Sequence, residues 1–173
     1  VELDSLSDFI SFGIAPAIVV YLWSKSLFME SSWAVVIFYA ICSSSRLAKF
    51  NLSNFENNND LKKIKFFSGV STPAAAGLTL LPLMFFFRFD TPLEANEFIM
   101  KFYLFIPAIL MITNIPTYSL KGIRFEKRII SLLIILLASF LSLLLTDFWL
   151  AMIILIIVYF LSIPFAIIDF KKN

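Results

Sequence analysis

Histidine is absent from the 173 residues, and cysteine occurs once, at Cys42. Ser–His–Asp and Cys–His catalysis both need an imidazole, so neither is available. A disulfide within the chain and a Cys/His zinc site are excluded on the same count. Any acid–base or metal chemistry therefore falls to Asp and Glu, whose oxygens suit hard divalent ions such as Mg²⁺, Mn²⁺ or Ca²⁺. Charge is scarce too, at 15% of residues, and no strand-like alternation of apolar and polar residues runs through the chain.

Apolar residues fill the space. They make up 60% of the chain, with a mean hydropathy of +0.92, against roughly 45–50% in soluble domains. Six apolar stretches stand out, at residues 8–24, 32–50, 70–88, 98–117, 129–146 and 148–168. Each is near the roughly 20 residues that a bilayer-crossing helix needs. Lipid offers no partner for backbone N–H and C=O groups, so these stretches are predicted to be helices. The expected fold is an all-α polytopic membrane bundle of about six helices, forming a single integral-membrane domain over 1–173.

The connections alternate in charge. One set carries Arg46, Lys49, Lys62, Lys63, Lys65, Lys121, Arg124, Lys127, Arg128, Lys171 and Lys172; the other carries Lys25, Arg88 and Lys101 among several acids. Basic loops stay in the cytoplasm. Six spans then put both ends of the chain, and Glu2, Asp4 and Asp8, on the cytoplasmic side. Lys62, Lys63 and Lys65 read as topology signals that attract anionic headgroups.

Asp4 and Asp8 are four residues apart, which on a helix puts their β-carbons roughly 6 Å from each other on one face. Two like charges there repel unless a cation lies between them. Acids also suit the positive end of a helix dipole, so a solvated helix start is the plain alternative. Against it, ionisable groups entering a membrane are costly and usually functional, and Ser5, Ser7, Ser11, Gly13 and Ala15 leave room around the pair. The polar segments "SSSRLAKFN", "SGVSTP" and "TNIPTYSLK" reach the same membrane depth. A carboxylate pair facing basic groups at a cytosolic interface suits a phosphate ester held by divalent metal.

On these residues the chain resembles the CDP-alcohol phosphatidyltransferase family, whose signature is Asp-x-x-Asp-Gly-x-x-Ala-Arg, eight residues, then Gly-x-x-x-Asp-x-x-x-Asp. "VELDSLSD" is similar to its second half, with Asp4 and Asp8 as the third and fourth aspartates. "ELDSLSDFISFGIAPA", "SRLAKFN", "FSGVSTPAAAG" and "NIPTYSLK" resemble segments of the serine-using bacterial and archaeal members, with Lys49 where those have a second arginine. The likeness covers residues 2–121 in patches. It implies that the signature's first half lies about 17 residues before Val1, on a helix that this chain lacks, and that a full protein has about eight spans.

The resemblance also implies an activity: transfer of the phosphatidyl group from CDP-diacylglycerol to L-serine with release of CMP, in a bacterial inner membrane, at a site facing the cytoplasm. Divalent metal, Mg²⁺ or Mn²⁺ with Ca²⁺ as a further candidate, would sit on the diphosphate. Asp4 would be a metal ligand, and Asp8 a metal ligand and the general base toward the serine hydroxyl. Membrane lipids and a second copy in a homodimer are the other implied partners; no nucleic acid is expected.

Further residues have two readings each. Arg46 and Lys49 bind phosphate or the serine carboxylate, or anchor the helix at the interface. Asn51 orients the acceptor or caps a helix. Ser71 and Thr72 shape an acceptor pocket, or with Pro73 simply start a helix. Lys121 reaches a phosphate or anchors a loop. The competing functions are a related transferase using another alcohol, a small membrane transporter, and an inactive fragment.

Overall fold

A computed structural model describes residues 2–23, 33–55, 66–90, 97–118 and 127–172. The expected all-α membrane bundle is what these residues form. Helix α1 (Glu2–Asp8) passes through a π-helical stretch (Phe9–Ile14) into α2 (Ala15–Trp23). Then come α3 (Trp33–Phe55), strand β1 (Phe66–Ser68), α4 (Thr72–Phe89), α5 (Glu97–Ile112), strand β2 (Pro116–Tyr118), α6 (Lys127–Thr146) and α7 (Phe148–Lys172). Four segments are long and apolar enough to cross a membrane: Leu3–Trp23, Trp33–Leu52, Thr72–Phe89 and Phe148–Asp169. Tyr103–Ile112 and Ser131–Thr146 are shorter apolar helices.

All six expected stretches are helical in their described parts, with two departures. The first helix starts at Glu2, so Asp4 and Asp8 lie within it. The fourth apolar stretch, predicted to run through 117, ends as a helix at Ile112 and gives way to β2. That strand pairs antiparallel with β1, Phe66 opposite Tyr118 and Ser68 opposite Pro116. Two three-residue strands far apart in sequence carry no periodic signal, and only tertiary packing joins them.

Helix ends follow local chemistry. Ser71 is extended (φ −67°, ψ 148°) and Pro73 occupies the first turn of α4, where its missing N–H costs nothing. Asp90 takes the left-handed conformation (φ 50°) after α4 and donates its N–H to the Phe86 carbonyl at 2.9 Å. Pro82, Pro107 and Pro164 lie inside α4, α5 and α7; membrane bundles tolerate such residues where neighbours satisfy the freed carbonyls.

The core gathers Ala17, Val36, Tyr39, Cys42, Val70, Ala75, Ala108, Met111 and Ile163 from five helices and the turn before α4. Small residues at these crossings let backbones approach, and packing holds membrane helices together where lipid supplies no hydrophobic drive. Helix α3 packs on α5, α4 on α2 and α7, and α7 also covers β2. Exposed side chains such as Ile135, Leu137, Leu145, Val158 and Phe165 suit contact with acyl chains.

Candidate active site at the polar end of the bundle

Contacts link five segments in series: α1 to the end of α3, α3 to the β1–α4 turn, that turn to the α5–β2 segment, and β2 to α7. A hydrogen bond from Asn51 Nδ2 to Ser5 Oγ (3.0 Å) brings α3 to α1, between the two aspartates in sequence. Asp8 is half-buried on this helix and Asp4 is exposed. Neither forms an ion pair among the described residues.

Arg46 lies five residues before Asn51 on α3 and is buried, at 7% exposure. A cation that only anchored the helix would extend its head to water, so burial weighs against that reading. Its Nε–H donates to the Val70 carbonyl at 3.2 Å, and its guanidinium carbon sits 5.8 Å from the Phe50 ring centroid. Two contacts thus fix the plane of the fork while its terminal N–H groups have no described hydrogen-bond partner.

The acceptor carbonyl is held by an unusual turn. Gly69 has φ +80°, and a Cβ there would stand 2.7 Å from the Thr113 carbonyl oxygen. Both constraints call for glycine. Its N–H donates to Ile115 O (2.8 Å), its carbonyl accepts from Thr117 Oγ1 (3.1 Å), and Val70 N–H donates to Leu110 O (3.3 Å). Thr72 and Thr117 are buried and Ser71 is half-buried beside them. Ser71 and Thr72 therefore start a helix beside the Arg46 contact.

Lys49 is exposed on α3 and makes no described contact with Arg46 or the aspartates. Lys121 lies outside the described residues. Gly69 and Thr117 had been quoted only as members of motifs. Their individual importance comes from a positive φ and from a bond across 48 residues, neither of which a local pattern reports.

Two carboxylates one helical turn apart offer the oxygen donors that a hard divalent ion takes. Such an ion takes about six ligands, and no group of three His, Cys, Asp or Glu side chains gathers among the described residues. Asp4 and Asp8 could therefore supply only part of the ligand set of such an ion.

No family model matches the chain. It is 28% identical over 166 residues to the CDP-diacylglycerol–serine O-phosphatidyltransferase of Mycobacterium tuberculosis (strain ATCC 25618 / H37Rv), covering 96% of this chain and 58% of that protein. Against the enzyme of the same name from Helicobacter pylori (strain ATCC 700392 / 26695) it is 31% identical over 139 residues, 80% of this chain and 56% of that one. Against that from Methanocaldococcus jannaschii it is 38% identical over 77 residues, 43% and 31% of the two chains. The chain thus spans a little over half the length of the curated bacterial relatives it matches.

Proposed function

Because the chain belongs with the CDP-diacylglycerol–serine O-phosphatidyltransferases of the CDP-alcohol phosphatidyltransferase family, we propose that it is the catalytic helical portion of an enzyme that transfers the phosphatidyl group of CDP-diacylglycerol to L-serine. The observation that carries this reading is a chain of contacts. Asn51 bonds to Ser5 between Asp4 and Asp8, and Arg46 on the same helix bonds to the Gly69–Thr72 turn, so contacts link in series segments that are far apart in sequence.

In this reading the serine hydroxyl oxygen bonds to the phosphatidyl phosphorus as the bond to CMP breaks. Asp8 accepts the hydroxyl proton, which requires it to come within about 3 Å of that oxygen or to act through one water. Asp4 and Asp8 would hold a divalent metal, which would supply charge neutralisation on the diphosphate. Arg46 presents a planar fork to phosphate or to the serine carboxylate, geometry that a lysine cannot reproduce. Asn51 and the hydroxyls of Ser71 and Thr72 contribute polar contacts to the acceptor. Lys49, exposed on α3, attracts anionic groups from further out, and Lys121 is assigned a phosphate contact on the resemblance alone.

The lipid tails remain in the bilayer while nucleotide and serine arrive from water. The basic connections at this end favour the cytoplasmic side of a bacterial inner membrane, and the full enzyme forms a homodimer. A transporter would need a polar midplane site; among the described residues the buried polar groups other than Arg46 are uncharged hydroxyls such as Ser43 and Thr79.

The test uses the full-length protein in liposomes containing CDP-diacylglycerol. CMP release is expected to require both L-serine and Mg²⁺ or Mn²⁺, to produce phosphatidylserine, and to stop with chelator. Release driven by glycerol phosphate or inositol phosphate in place of serine would reassign the acceptor, and none with any alcohol would refute the transferase reading.

A further inference from the structure

The helix that bears the aspartates does not continue into α2 as plain α-helix. Gly13, Pro16, Ala17 and Val20 are buried, a spacing that marks one helical face. Carried backward at α periodicity, about 100° per residue, that face would centre on Phe9 and Leu6, with Ile10 and Leu3 at its margin and Asp8 well outside it. Leu6 is instead 55% exposed, and Ile10 and Leu3 are 53% and 83% exposed. Asp8 and Ser5 are half-buried beside Phe9. The inward face has slipped by roughly one residue.

The slip coincides with the π-helical stretch Phe9–Ile14, where the Ala15 N–H donates to the Ile10 carbonyl five residues back. One extra residue in a turn rotates everything before it by about 100°. We propose that this stretch is a positioning element. It turns Leu3, Leu6 and Ile10 toward lipid, brings Asp8 to the α3 interface, and carries Asp4 to the edge of that interface. The functional meaning rests on the reading of Asp4 and Asp8 given above; the rotation itself rests on the burial pattern.

Helix α3 holds the wide turn at two points. The Tyr39 hydroxyl donates to the Phe12 carbonyl at 3.1 Å. Ser43, fully buried, seats its Oγ where a Cβ on Gly13 would come within 2.3 Å. That hydroxyl has no hydrogen-bond partner among the described residues, so close fit against Gly13 accounts for its position. Asn51 reaching Ser5 two turns further along α3 completes a continuous seam between the helices.

The rotation is tested in the full-length protein with a Cys42→Ala background and the pair Ser5→Cys/Asn51→Cys, read by oxidative cross-linking. Deleting exposed Ser11 removes the extra residue and leaves a plain α-helix with the carboxylates facing the same way. Cross-link yield, and turnover measured without the cysteine pair, should stay within about threefold of the parent. Inserting one alanine after Ser11 adds about 100°; the cross-link should be lost and turnover should fall about 100-fold. An inserted chain that cross-links like the parent would overturn the proposal. Cross-linking that follows the expected order supports it even where turnover does not respond, and that outcome would count against the functional reading of the aspartates instead. Where a length variant fails to fold, the unaltered register decides: Leu6→Cys should cross-link to Asn51→Cys at least about tenfold less than Ser5→Cys does, its direction differing by about 100°, and equal yields would refute the rotation.

Discussion

The two ends of the bundle treat their charges differently. At the end remote from the aspartates, Arg88 Nε and Asp147 Oδ2 meet at 2.5 Å, joining the end of α4 to the start of α7. Asp147 also accepts the Leu150 N–H at 3.2 Å, capping α7. Around them Trp23 packs against Phe86, and Phe87 stacks on Trp149, with ring centroids 5.4 and 5.0 Å apart. At the other end Asp4 and Asp8 share a helix face with no cation of the chain beside them in the described residues, and buried Arg46 is tied to a carbonyl instead of a carboxylate. Charges that serve the fold neutralise one another; charges kept apart from their opposites remain available to a ligand. Maintaining two like charges one turn apart costs stability, a common feature of functional sites.

Substitutions at the two ends should therefore have opposite signatures. Asp8→Asn, made in the full-length protein, should lower turnover by about 10²–10⁴-fold, the usual contribution of a general base. Its thermal stability in detergent should hold or rise, because repulsion with Asp4 is relieved; turnover near the parent's would remove Asp8 from the base role. Next in size is Gly69→Ala. A Cβ at φ +80° against the Thr113 carbonyl should destabilise by about 1–3 kcal/mol. It should also displace the Val70 carbonyl that orients Arg46, raising the KM for serine or CDP-diacylglycerol; unchanged KM with lowered stability would separate the turn from the site. Arg88→Gln should have the smallest effect. The pair is partly exposed, so its loss is expected to lower stability by no more than about 1 kcal/mol and to leave kcat unchanged. A large drop in kcat from that change would erase the distinction between the two ends.

The helices were legible because lipid leaves the backbone few options and because apolar runs announce themselves by length. Pro73 marked the start of α4 by local chemistry. The aspartate pair was legible as charge where charge is expensive, and the family resemblance added candidate partners in "SRLAKFN", "FSGVSTPAAAG" and "NIPTYSLK". What holds those partners together was not legible. The β1–β2 pairing, the bond from Thr117 to Gly69 and the seating of Ser43 on Gly13 each join residues at least 30 positions apart. The π-helical stretch was hidden for another reason: its signal is a one-residue phase slip in burial, and burial is unknown until the neighbouring helices are in place.

The pairing of Phe66–Ser68 with Pro116–Tyr118 also settles a matter of counting. Backbones joined by ladder hydrogen bonds cannot lie on opposite sides of a bilayer, so whatever leaves at Ser68 must come home by Pro116. Between those points the chain makes a round trip, with α4 as one leg and α5 as the other. The outward and return legs are thereby matched in number without reference to a single lysine, and the modest length of α5 does not alter that parity.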